Sequence, residues 1–72
     1  MVEYTRHASD RLLERNISHD DVMYCLKHYH TSYPDRSGNM IYRADLPDKR
    51  HIKVVVKAKT SDPKVVITVA DS

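Results

Sequence analysis

His7, Arg11 and Arg15 recur every four residues in the stretch YTRHASDRLLERNIS. On a helix that spacing stacks three side chains along one face. The residue types suit metal-free cleavage of a phosphodiester. Such a reaction needs a base for the attacking hydroxyl, a fixed cation against the charged phosphorus centre, and an acid for the leaving oxygen. Histidine titrates near neutrality and serves either proton step. Arginine grips phosphate with a planar, permanently charged fork. His7 and Arg11, one turn apart, can address one phosphate together, and Arg43, Lys53 and Thr68 supply two further cations and a hydroxyl. The same stripe also reads as a solvated helix edge. Asp10 and Glu14 are interleaved with it, and Arg15 fits an intrahelical charge network.

The elements that must position these side chains follow from periodicity and punctuation. A first helix is predicted from an N-cap at Thr5 to about Arg15, with Ala8 and Leu12 four apart facing the core and Leu13 beside them. Asn16 tolerates the left-handed backbone that ends a helix, and Ile17 then tucks back onto the core. A second helix starts at Ser18, with Asp21 three residues on as a near capping box. Its apolar stripe is Val22, Cys25, Leu26 and Tyr29, and it ends near His28–His30. The segment HTSYPDRSGN, with Pro34 and Gly38, is expected as a loop.

Three strands follow, at residues 40–44, 51–59 and 65–70. The middle one alternates cleanly, with Ile52, Val54, Val56 and Ala58 on one face and Lys53, Val55, Lys57 and Lys59 on the other. Val65, Ile67 and Val69 are the expected core set of the last. If Tyr42 points inward, Arg43 joins Lys53 and Thr68 on a small cationic sheet face. The expected fold is a single α+β domain over residues 1–72. Two N-terminal helices pack on a three-stranded antiparallel sheet, in the order ααβββ.

Composition removes several classes of function. The 72-residue chain carries a net charge of +2, divided as −1 over residues 1–30 and +3 over residues 31–72. That mild basic bias permits an anionic partner without demanding one. Cys25 stands alone, so no intramolecular disulfide can form, which fits a reducing compartment and a cytoplasmic location. Neither a signal sequence nor a membrane span is legible. With one glycine there is no phosphate-cradling loop and hence no expected nucleotide cofactor. Cys25 and His28 could make half of a zinc site. No second ligand pair follows and Cys25 lies on the apolar stripe, so no metal is expected.

The pattern His7-x3-Arg11-x3-Arg15-x-Ile17, then Tyr42, then Lys53 with Val54 and Val55, then Ile67-Thr68-Val69, resembles a known family. It is similar, from about Tyr4 to Ala70, to the small bacterial and phage domains of the domain-of-unknown-function family numbered 4258. The resemblance implies a fold related to the RelE-like toxins and, more remotely, to metal-independent ribonucleases. In that group a nuclease site is built from His, Arg, Lys and Thr or Ser side chains on the first helix and the sheet.

Two functions are therefore carried forward. One is a toxin-like, metal-independent endoribonuclease acting on single-stranded RNA or mRNA. His7, Arg11, Lys53 and Thr68 are its catalytic candidates, Arg11, Arg43 and Lys53 clamp the phosphate, and a neutralising protein partner is implied. The other is a non-catalytic module that binds protein or nucleic acid, with Tyr29, Tyr33 and Tyr42 available to its surface. The first requires His7, Arg11 and at least one of Arg43, Lys53 and Thr68 to converge on one phosphate.

Overall fold

Thr5 opens the first helix because its side chain accepts a hydrogen bond from the Ala8 amide at 3.1 Å. In the computed structural model, which describes residues 2–72, this helix is α1 (Arg6–Glu14). It ends in a Schellman motif. Asn16 adopts a φ of 53°, the Ile17 amide donates to the Leu12 carbonyl at 2.9 Å, and the Asn16 amide donates to Leu13 at 3.3 Å. Ile17 is thereby folded back into the core. Helix α2 (His19–His28) starts from a complete capping box, Ser18 and Asp21 each accepting from the other's backbone amide at 3.0 Å.

The sheet has five strands rather than the expected three: β1 (Val2–Tyr4), β2 (Thr31–Pro34), β3 (Met40–Asp45), β4 (His51–Val56) and β5 (Lys64–Asp71). Their spatial order is β1-β5-β4-β3-β2, with β1 parallel to β5 and every other neighbouring pair antiparallel. The two additional strands are the edges. β2 lies in the segment read as a loop, and Pro34 is tolerated there because it closes an edge strand. β4 stops at Val56, before the predicted end, where the chain turns and Lys59 takes a φ of 61°. The α+β architecture holds, with both helices on one face of the sheet. α1 lies against β5 and β1, and α2 against β3 and β4.

The core between these layers is Ala8, Ile17, Val22, Cys25, Ala44, Leu46, Ile52, Val54, Val56, Val66 and Val69. A β-bulge between β4 and β5 changes which β5 residues join it. Val55 pairs with Thr68 while Val56 pairs with Val66, so Ile67 and Thr68 together oppose a single step of β4. Val66 and Val69 then face the helices, and the expected alternation through Val65 and Ile67 is broken.

Arg50, in the turn between β3 and β4, ties the sheet to the helical corner. Its guanidinium donates to the Asn16 carbonyl and to the Asp21 carboxylate, each at 2.8 Å, and to Asp48 at 3.1 Å. One side chain thus satisfies the exposed end of α1 and the capping carboxylate of α2.

Candidate functional site

The register of β3, β4 and β5 decides which candidate residues can meet. Ala44 and Ile52 oppose each other in the core, as do Val54 and Val69. Successive side chains point to opposite faces. Arg43 and Lys53, directly paired, therefore project from the face without helices, and Thr68, opposite Val55, projects there too. His7 and Arg11 ride on α1 in the other layer. The expected convergence of His7 and Arg11 with Arg43, Lys53 or Thr68 does not occur, because the sheet itself separates them.

On α1 the stripe is occupied locally. Arg11 Nε lies 3.5 Å from His7 Nε2 and its Nη1 lies 3.5 Å from Glu14. Arg15 reaches Asp71 at the end of β5, 3.9 Å away, rather than the acids of its own helix. Cys25 is fully buried, its Sγ 3.5 Å from the Tyr42 carbonyl, and burial pushes its thiol up to about 11. His28 leaves that face and packs its ring on Tyr24, with centroids 4.6 Å apart. The two do not form half of a metal site.

The open face carries a constellation that sequence reasoning missed. His51 Nδ1 donates to Asp45 Oδ1 at 2.5 Å, and His30 Nε2 lies 3.5 Å from the same oxygen. His30 Nδ1 is in turn 2.7 Å from Thr31 Oγ1. Two imidazoles thus share one carboxylate. The hydrogen bond from His51 and the nearby charge of His30 hold Asp45 below the usual carboxylate range. Because Nδ1 of His51 is committed to Asp45, its Nε2 is the nitrogen left for chemistry.

Three elements build this cluster. The β3–β4 hairpin sets Asp45 opposite His51. The edge pairing of β2 with β3 begins where the His30 amide donates to the Arg43 carbonyl at 3.0 Å, which swings His30 over the same face. Along that face the side chains form rows. His30, Asp45 and His51 make the first; Thr31, Arg43, Lys53 and Ala70 the second; Tyr33, Ile41, Val55 and Thr68 the third. Neighbouring rows lie roughly 7 Å apart and neighbouring strands about 5 Å. The His–Asp row and the cation row are therefore within reach of one phosphodiester. Arg43 is steadied by Ser72, to which its Nε donates at 2.8 Å, and among the described residues neither Arg43 nor Lys53 makes an ion pair. In the third row Val55 is only 7 % exposed although no helix covers it, while Tyr33 is 40 % exposed.

Counting outward from LPDK (46–49) would have set Asp45 opposite Arg50; the connection takes in Arg50 as well, and that extra residue brings His51 opposite Asp45. His30 carried no such signal, since its position depends on an edge strand that reads as a loop.

The chain belongs to the family described as Domain of unknown function (DUF4258), whose model matches residues 4–71. No curated protein and no solved structure matches it. Among the described residues, no helix is long and apolar enough to cross a membrane, and no three His, Cys, Asp or Glu side chains are arranged to hold a metal ion.

Proposed function

We propose that the protein is a metal-independent endoribonuclease of the RelE-like, toxin type, with its chemistry on the open sheet face rather than on α1. The observation that carries this reading is the pair of imidazoles sharing Asp45 beside Arg43 and Lys53. His51, oriented through Nδ1 by Asp45, takes the 2′-hydroxyl proton at Nε2. The 2′-oxygen then attacks the adjacent phosphorus. As the bond from phosphorus to the 5′-oxygen breaks, protonated His30 gives its proton to the leaving oxygen. Arg43 and Lys53 hold the non-bridging oxygens as charge develops on them. The products are a 2′,3′-cyclic phosphate and a 5′-hydroxyl end. Tyr33 and Ile41 give the flanking base an apolar, aromatic patch on which to rest. His7, Arg11 and Thr68 have no catalytic part in this mechanism.

The test is cleavage of single-stranded RNA by the purified chain in EDTA, with end-group analysis of the products. His51→Ala and His30→Ala should each abolish most of the cleavage while His7→Ala does not. An inert wild-type chain, or cleavage that survives both sheet-face substitutions, would sink the assignment.

The half-exposed Tyr33 beside Ile41 and Val55 also supports a second reading, a module that binds single-stranded RNA or a protein without cutting. RNA bound on that face and recovered intact would select it.

A further inference from the structure

A cavity of about 220 Å³ opens on the helix side of the sheet, across the molecule from the open face. It is lined by Val2 of β1, Met23, Leu26 and Lys27 of α2, Ser61 of the β4–β5 turn and Lys64 of β5. Val2 pairs with Lys64 in the parallel β1–β5 ladder, and the next pair on that face, Tyr4 and Val66, packs into or against the core. The cavity therefore belongs to the helix layer.

Its chemistry is divided between floor and rim. Val2 and Leu26 form an apolar floor with Met23, which remains 39 % exposed. Met23 and Lys27 are one helical turn apart, with Leu26 beside them, so a single flank of α2 presents all three. On the other side Lys64 contributes a second cation, its ammonium 5.7 Å from the centroid of the Tyr42 ring. Among the described residues neither Lys27 nor Lys64 makes an ion pair. Glu3, beside Val2, Asp62, beside Ser61, and Asp21, two residues before Met23, are the acids nearest in sequence, and none of them lines the cavity.

Size and charge together select an occupant. Small-molecule sites usually enclose roughly 300–1,000 Å³. This cavity is smaller and has room for one or two side chains, as in the pockets that receive an anchor residue at protein interfaces. A flexible methionine at such a wall adapts to the anchor's shape. A nucleic acid would answer the lysines, but its bases stack on aromatic faces and the lining here carries none. A purely apolar peptide would do the reverse.

We propose that this cavity docks a segment of a partner protein in which a large aliphatic or aromatic anchor residue is flanked by aspartate or glutamate. The anchor fills the space over Val2, Met23 and Leu26, and the flanking carboxylates meet Lys27 and Lys64. Because the surface lies in the opposite layer from Arg43, Lys53 and His51, the partner and RNA can bind together. The proposal does not rest on the cleavage reading.

The test is selection from a random linear peptide library against the full chain, followed by amide NMR with the peptides recovered. A consensus of an apolar anchor bracketed by acids is expected, with shifts confined to Val2, Met23–Lys27 and Ser61–Lys64. The double variant Lys27→Glu/Lys64→Glu should lose at least roughly tenfold in affinity. It should recover binding to a peptide whose acids are replaced by lysine, while its amide spectrum elsewhere stays that of the folded wild type. An absent or non-acidic consensus, shifts on the open sheet face, or affinity indifferent to the charge reversal would each overturn the proposal. So would a single-stranded RNA oligonucleotide that moves the same amides, since it would name nucleic acid as the occupant.

Discussion

The two faces of the sheet are built from the same strands and do opposite work. Toward the helices, Ile52, Val54, Val66 and Val69 are fully buried and contribute nothing but packing. One residue along in each direction, His51 and Lys53 look outward with Asp45 and Arg43. A strand can hold such neighbours because its side chains alternate, so the covered face secures the fold while the open face is free to carry charged and polar groups. The helix stripe of His7, Arg11 and Arg15 lacks this division. Its side chains are spent on each other and on neighbouring acids.

Substitutions on the two faces should therefore separate activity from stability. Arg43→Ala and Lys53→Ala should each lower kcat/KM by about 10- to 100-fold, the loss of one charge-assisted contact to phosphate. Their thermal midpoints should stay close to wild type. Adjacent to Lys53, Ile52→Ala should cost about 2–5 kcal/mol in urea unfolding, because it empties a fully buried position. Lys53→Ala should cost no more than about 0.5 kcal/mol. Equal stability losses at positions 52 and 53 would dissolve the contrast between the faces.

Arg50→Ala probes the link between the layers. It removes the donor shared by the Asn16 carbonyl and the partly buried Asp21 carboxylate, so unfolding should become easier by roughly 1–3 kcal/mol.

The smallest effect concerns pH. Burial raises the Cys25 thiol from 9.0 to about 11 in the folded chain, so the native state favours the protonated form. Its contribution is fully present below the unfolded value and is lost as pH rises through the folded one. Between those limits the urea midpoint should fall with pH more steeply in wild type than in Cys25→Ala. Matching slopes would show that the thiol is not desolvated.

How far the sequence foretold this arrangement depended on how local each feature is. The Thr5 and Ser18 caps and the Asn16 stop were legible because each is fixed by side chains within a few residues. The clean alternation of β4 likewise gave the correct faces for Ile52, Lys53 and Val54. β1 and β2 were not legible, since three or four residues carry little periodicity and their pairing partners lie far away in sequence. The bulge at Ile67 and Thr68 is a tertiary adjustment to β4, and alternation through Val65, Ile67 and Val69 could not foresee it. Of the candidate residues, Arg43 and Lys53 were placed together on one sheet face by alternation. His7 and Arg11 were joined to them by spacing that fits a helix but says nothing about which layer the helix occupies. A count from the LPDK turn misses the pairing of Asp45 with His51 by one residue, and His30 needed β2.

The parallel ladder between Val2–Tyr4 and Lys64–Val66 bears on how the molecule is made. A ribosome delivers β1 ahead of everything it packs against, and the caps of both helices are set by residues that emerge with them. β1, by contrast, has no strand to pair with until Val66 is free. Closure of the sheet is thus a late, long-range event in biosynthesis, the kind that topology makes slow. Throughout translation the nascent chain exposes the flank of β1 that the finished sheet conceals, a surface that factors waiting at the ribosome would meet and the mature protein would never show.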